Sequence, residues 1–233
     1  MSGTTYHTRR GEVADYFDRT AMEAWAKLTS DVPVSGIRAT VRAGRDRMRA
    51  TLLSYLPNDL RGARVLDAGC GTGAFAVEAA RRGAHVMAID LSPKLVNLAR
   101  ERAPQDLGAG RIDFAVGDMK EAARQKFDYV VAMDSLIHYR APDMVRVIGE
   151  LAAHTRFGMV FTFAPRTPML TAMHAVGRFF PRGDRAPSIE PVSRKALARR
   201  LLNEPMLDGW ALGRGEQINS GFYMSHALEV TRA

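Results

Sequence analysis

The chain has almost no cysteine. Cys70 is the only one among 233 residues, so it can form no internal disulfide and no Cys-rich zinc site. Nowhere do 18 apolar residues run together, so no membrane-spanning helix is expected. The opening residues, Met1 to Arg10, hold no apolar stretch of signal-peptide length, which leads to the expectation of a cytoplasmic protein. There is no internal repeat, no low-complexity tract and no His/carboxylate cluster suited to a protein-held metal. Apolar residues make up 46% and charged residues 25%. That balance belongs to an ordinary globular chain and argues against a disordered, collagenous or coiled-coil one. What is in excess is positive charge: 33 Lys and Arg face 25 Asp and Glu, a net of +8. Such an excess suits nucleic acid, an anionic membrane surface or an acidic ligand, without choosing among them.

Local patterns divide the chain. Val13, Tyr16, Phe17, Thr20, Ala24 and Leu28 recur at helical spacing, with Trp25 beside them. A second helix is predicted from Ile37 to Leu56, ended by Pro57 and Asn58. Together they give a helical amino-terminal arm over residues 1–60. From Arg64 the chain alternates strands (65–67, 86–90, 112–116, 127–133, 158–163) with helices (72–82, 92–102, 142–154). This order predicts an α/β fold, Rossmann-like, with a doubly wound and mostly parallel sheet. Five prolines punctuate residues 165–192, which read as an insertion carrying a helical stripe of Met169, Met173, Val176 and Phe180. A helix over 193–203, capped by Ser193, follows. Two last strands, Leu207 to Ala211 and Phe222 to Val230, are expected on either side of a Gly-rich turn.

The strongest local signal is Val65-Leu-Asp-Ala-Gly-Cys-Gly-Thr-Gly73. A strand ends at Asp67, and Gly69, Gly71 and Gly73 lead into a helix. Glycine lets the backbone turn tightly and approach a ligand. Gly69, Gly71 and Ala74 satisfy the relaxed dinucleotide pattern, a weak signal alone. Three acids favour another ligand. Asp67 would repel a pyrophosphate but suits a cationic amine. Asp90 ends the second strand, where it can accept from ribose hydroxyls. Asp118 follows the third strand. Cys70 reads as a small loop residue and not a nucleophile.

On these residues the chain resembles the class I S-adenosylmethionine-dependent methyltransferases, over about residues 63–164. The resemblance implies cofactor contacts from Asp67, Gly69, Cys70, Gly71 and Gly73, from Asp90 with Leu91, and from Asp118 with the backbone N–H of Met119. It also implies carbonyls near Ala132 and Met133 accepting from the methionine amine. The implied product is S-adenosylhomocysteine, and a seven-stranded sheet is expected.

A narrower resemblance rests on Asp15-Tyr-Phe-Asp18 with Trp25, on the rim Asp134-Ser-Leu-Ile-His-Tyr139, and on Thr162-Phe-Ala-Pro165. These are similar to the magnesium-protoporphyrin IX O-methyltransferases of (bacterio)chlorophyll biosynthesis. It implies methylation of one propionate of the metalloporphyrin, with Mg²⁺ present only as part of the substrate. Tyr16 and His138 match the family's acceptor-side tyrosine and histidine. Asp134 and Tyr139 fall on the acceptor rim, and Met169, Met173 and Phe180 on a lid over the macrocycle. The resemblance also suggests a magnesium chelatase subunit as partner.

Arg38, Arg42, Arg45 and Arg49 are spaced 4, 3 and 4 apart, on one helix face that suits a propionate, an anionic lipid headgroup or a partner protein. Contact with the cytoplasmic or photosynthetic membrane surface is a further expectation. Rival readings are a methyltransferase of another small molecule such as a quinone precursor, an RNA or protein methyltransferase, and a non-catalytic cofactor binder. The nucleic-acid reading has little support. No Asn-Pro-Pro-Tyr-type motif follows the fourth strand, and no aromatics interleave the basic stripe. Residues 165–233 hold 10 basic and 6 acidic residues, half of the net excess. The charge therefore suits a dianionic porphyrin better than nucleic acid.

Overall fold

A computed structural model describes residues 2–19, 36–122, 124–166 and 189–233. Trp25 and the stripe Met169, Met173, Val176 and Phe180 lie outside the described residues.

Seven strands form one sheet. β1 (Arg64–Ala68), β2 (His85–Asp90), β3 (Arg111–Val116), β4 (Phe127–Ala132) and β5 (Thr155–Phe163) run parallel. β7 (Tyr223–Arg232) lies antiparallel between β5 and β6 (Trp210–Ser220), giving the order 3-2-1-4-5-7-6. Helix α3 (Ala74–Arg81) follows β1 and α4 (Pro93–Arg102) follows β2. The one-turn α5 (Met119–Ala122) follows β3, and α6 (Ala141–Ala152) follows β4. Helix α7 (Arg194–Leu202) precedes the final hairpin. The chain leaves β1 toward β2 and returns on its other side as β4, so a switch point opens at the carboxyl ends of β1 and β4, where open α/β sheets bind ligands.

The strands' buried runs reflect a sheet covered on both faces. Val65 and Leu66, adjacent on β1, are both fully buried and point into different clusters. Leu66 joins Ile89, Val130, Phe161 and Ile148 on one face. Val65 joins Val86, Val131, Val160 and Phe75 on the other. Local signals set the helix starts. Ser92 Oγ accepts from Leu95 N at 3.3 Å with Pro93 at the first turn, and Ser193 accepts from Ala196 N at 3.3 Å.

The amino-terminal region contributes α1 (Ser2–Arg19) and α2 (Ile37–Ser54). Helix α1 begins earlier than the hydrophobic spacing predicted. Its opening turns are held by polar bonds, Thr5 Oγ1 to Asp143 Oδ2 and Tyr6 to Asp118, which leave no periodic signature. Helix α2 packs on β6 and β7 and buries Met48, Leu52 and Leu53 in the same cluster as Val65 and Phe75.

The last strands differ from the sequence reading. Gly213 and Gly215 do not form a turn; they lie inside β6, at a register shift between Leu212 and Gly215. A Cβ at Gly213 would meet Glu229 Oε2 at 2.5 Å. That space is filled by the Glu229 carboxylate, onto which Arg214 Nε and Nη2 fork at 2.8 and 2.6 Å. The strand reversal comes at Gly221, which has φ +58°.

Leu52 is fully buried between α2 and the sheet. Leu52→Ala should therefore cost about 2–5 kcal/mol in urea denaturation. Ile37→Ala, at the exposed start of the same helix, should stay within about 0.5 kcal/mol.

Candidate active site

A cavity of about 320 Å³ opens over the carboxyl ends of β1, β2 and β4, between α1 and α2. That volume is at the lower end for a small-molecule site. The glycine loop forms its floor. Gly69, Gly71 and Gly73 have φ of +84°, +54° and +78°, values that side chains disfavour. A Cβ at Gly69 would stand 2.3 Å from Ser135 Cβ, so the loop is pressed onto the chain leaving β4. Gly69 N and Cys70 N donate to Ile89 O at 2.8 and 3.0 Å, tying the loop to the end of β2.

Register places the acids. Asp67 pairs with Ala88 and Val131, and Asp90 with Val116, so both stand at strand ends. Asp90 accepts from Gly71 N through Oδ2 at 2.9 Å and from Ser92 N through Oδ1 at 3.0 Å. Burial raises its pKa, and those N–H groups pull it back. Asp67 is 1% exposed, and its Oδ2 has no hydrogen-bond partner. Burial, and then the neighbouring Asp90, push the Asp67 carboxyl up to about 7. Burial, and then the neighbouring Asp67 and Asp90, raise the Cys70 thiol well above its ordinary value. That suits a small loop residue and not a nucleophile.

Asp118 is 4% exposed and is gripped by the arm. Tyr6 OH donates to Oδ1 at 2.7 Å and Arg10 Nη1 to Oδ2 at 3.2 Å, while Lys120 N donates to Oδ1 at 3.0 Å. Tyr6 also stacks on Tyr139, with centroids 4.8 Å apart and rings 18° from parallel. Neither Tyr6 nor Arg10 carries a motif, and helical periodicity cannot mark a polar contact 112 residues distant in sequence. The arm's other end is tied at Asp18, whose carbonyl accepts from Lys94 Nζ at 2.8 Å.

The structure brings most of the expected residues to this cavity. Asp67, Gly69, Cys70, Gly71, Asp90, Leu91, Asp118, Met119 and Met133 line it, as do Asp134, His138 and Tyr139. Gly73 instead starts α3 in the left-handed conformation, and Ala132 is buried in the sheet. His138 is buried in a 3-10 turn, Leu136–His138, with Phe17 edge-on at 5.9 Å. Tyr16 does not line the cavity. It is half-buried against Phe17 at 5.3 Å, and Phe17 takes the inward place. The arginine stripe divides: Arg42, Arg45 and Arg49 line the cavity, whereas Arg38 is exposed outside it. Asp134 reaches the wall, but its carboxylate already accepts from Arg45, Tyr223, Thr162 and Ser225.

The cavity is thus acidic at its floor and lined with guanidinium groups at one wall. The buried, unpartnered Asp67 oxygen fits a ligand that brings a cationic N–H donor. Asp90 and Asp118 line the same floor. With the sheet order, these features define a class I S-adenosylmethionine-dependent methyltransferase.

Comparison with known proteins narrows the class. The model of the magnesium-protoporphyrin IX methyltransferase C-terminus matches residues 132–232, and that of a methyltransferase domain residues 65–158. The chain is 50% identical to the magnesium-protoporphyrin O-methyltransferase of Rhodobacter capsulatus, over 96% of this chain and 97% of that one. The magnesium protoporphyrin IX methyltransferase of Synechocystis PCC 6803 with bound SAH matches with a TM-score of 0.79 and 29% identity, covering 95% and 98% of the two chains. A ubiquinone biosynthesis O-methyltransferase of Xanthomonas oryzae pv. oryzae is 37% identical over a shorter span, 73% of this chain and 78% of that one. The chain belongs to the magnesium-protoporphyrin O-methyltransferase family.

A pH dependence follows from Asp67. Its folded-state pKa, about 7, is raised above the ordinary 3.8. The ligand-free protein therefore has this group's stability in full below about pH 4 and loses it as pH rises through about 7. A cationic ligand reverses the preference. Calorimetric affinity for S-adenosylmethionine should rise by up to about tenfold per pH unit below 7 and level off above. Asp67→Asn should bind at least about tenfold more weakly, with that rise abolished.

Proposed function

We propose that the protein transfers the methyl group of S-adenosylmethionine to one propionate carboxylate of Mg-protoporphyrin IX, giving the monomethyl ester and S-adenosylhomocysteine. The observation that carries this reading is the division of charge in one cavity. Buried acids at the floor suit a cationic cofactor, and guanidinium groups at the wall suit a dianionic acceptor. The end-to-end similarity to the Rhodobacter capsulatus enzyme supports the same acceptor.

The bound cofactor supplies an electrophilic methyl on a sulfonium. The chain's own residues have to align the acceptor, dehydrate it and hold its oxygen about 3 Å from that carbon. A propionate has a pKa of about 4–5, close to that of Glu, and is already ionised at neutral pH. No strong base is needed. His138, buried at the rim, orients the carboxylate by a hydrogen bond, and Phe17 packs edge-on against its ring. From the arm it is Phe17, and not the Tyr16 expected from the family resemblance, that faces the cavity. The lid expected from Met169, Met173 and Phe180 would cover the macrocycle.

Two further elements belong to this proposal. A magnesium chelatase subunit would hand over the porphyrin, and the protein would touch an anionic membrane surface from the cytoplasmic side. Exposed Ile37 and Phe222, with Arg38 beside Ile37, support the surface contact. Among the described residues no helix is long and apolar enough to cross a membrane.

A methyltransferase of quinone precursors is the second reading, favoured by the similarity to the Xanthomonas protein. Mass spectrometry after incubation with S-adenosylmethionine and either Mg-protoporphyrin or a polyprenyl-catechol separates them. One added methylene on the porphyrin alone is expected; methylation of the catechol alone would overturn the proposal. At saturating cofactor, log kcat should be flat from about pH 6 to 9, since the acceptor carboxylate is ionised throughout. His138→Asn should lower kcat and leave the profile flat; a wild-type slope that His138→Asn abolishes would make His138 a base.

A further inference from the structure

We infer that Asp134 is a positioning residue that fixes Arg45, and that Arg45 anchors the propionate that is not methylated. The inference rests on the porphyrin reading above and deepens it by assigning the second carboxylate a partner.

The argument starts from the Asp134 backbone. Among the described residues it is the only one other than glycine with positive φ, +54°. A side chain held in that region persists only where its surroundings over-determine it. Here they do. The Asp134 N–H donates to Thr162 Oγ1 at 2.7 Å. Its carboxylate accepts from Arg45 Nη1 at 2.5 Å, from Tyr223 OH at 3.1 Å to each oxygen, from Thr162 Oγ1 at 3.1 Å and from Ser225 Oγ at 3.3 Å. A carboxylate offers about four acceptor positions, so these donors fill it. An anionic acceptor would also be repelled by it. Asp134 stands on the acceptor rim without being free to touch the acceptor.

What Asp134 does control is Arg45, which lines the cavity with 18% of its side chain exposed. A guanidinium has five donors in a rigid fork, so one such group can hold Asp134 and a ligand carboxylate together. The base of Arg45 is fixed as well. A Cβ on the preceding Gly44 would lie 2.5 Å from Tyr223 Cδ1, so α2 meets β7 at van der Waals distance there. That approach brings the Tyr223 hydroxyl to Asp134. Three elements distant in sequence thus converge on the aim of one guanidinium.

The chemistry selects which propionate it takes. The reacting carboxylate must offer a lone pair to the methyl group, and a charge-assisted fork on that group would withdraw it. It also loses its charge when the ester forms, which would leave the guanidinium without its partner. The other propionate stays ionised throughout, so its ion pair persists and fixes the macrocycle's orientation.

The test compares substrate with product. Binding of Mg-protoporphyrin and of its monomethyl ester is titrated by porphyrin fluorescence with S-adenosylhomocysteine present. Arg45→Ala should raise both dissociation constants by a similar factor, at least about tenfold, as for a lost hydrogen bond to a charged group. The S-adenosylhomocysteine dissociation constant should stay within about twofold, since the Arg45–Asp134 pair stands on the rim after β4 and not at the strand ends that carry Asp67 and Asp90. Arg45→Lys, which keeps the charge but not the fork, should show a smaller loss. Asp134→Asn should raise the porphyrin KM more than it lowers kcat and leave the pH profile unchanged. Weakening of the diacid alone would place Arg45 on the reacting carboxylate and overturn the assignment, as would unchanged binding of both ligands. A wild-type enzyme that leaves Mg-protoporphyrin unmethylated would overturn the functional reading, and the anchor with it.

Discussion

A buried carboxylate with an unpartnered oxygen is the constraint around which the site is built. Asp67 sits near the end of β1, and Asp90 ends the neighbouring strand β2. Without ligand the two acids oppose each other, and burial holds Asp67 near a pKa of 7. The fold supplies Asp90 with two backbone N–H groups, from the glycine loop and from the turn before α4. It leaves Asp67 Oδ2 for the ligand. The positive φ values of the loop serve the same arrangement, because Gly71 N reaches Asp90 only when the chain turns back sharply.

Opposite charges then divide the cavity between two reactants. In the proposed reaction a cationic cofactor takes the acid floor and an anionic acceptor the arginine wall. The wall is not a bare field of positive charge. Arg45 is balanced by Asp134 and Arg49 by Asp46. Paired guanidinium groups lose less on burial than isolated ones and keep fixed directions, which favours geometric selection of a carboxylate over general attraction of anions.

The parts of the site that lie in one contiguous segment were legible in the sequence. The glycine loop, Asp90 and Asp118 each follow a strand directly, so strand prediction and residue type suffice to place them. The sheet was readable for the same reason, since a βα rhythm with short connections leaves few topologies. What escaped was built by polar contacts across large sequence distances. Tyr6 looks like one aromatic near the amino terminus until it is seen under Asp118 and on Tyr139. Tyr16 matched a motif, but one residue around the helix Phe17 takes the inward position. Gly213 and Gly215 read as a turn because glycine breaks strands, and only the Arg214–Glu229 fork explains them inside one.

Asp134 shows why residue type at a rim position is an incomplete guide. An acid after the fourth strand reads as a ligand contact, and the carboxylate does reach the cavity wall. Its ligands, however, are protein groups from α2, β5 and β7. The antiparallel hairpin that closes the sheet thereby enters the chemistry: Tyr223 and Ser225 at the start of β7 fix Asp134, and Asp134 fixes Arg45. The acid floor uses the ends of the parallel strands, whereas the arginine wall draws on α2 and, through Asp134, on the hairpin. If the proposed division holds, acceptor specificity can change through these outer elements while the acid floor keeps its geometry.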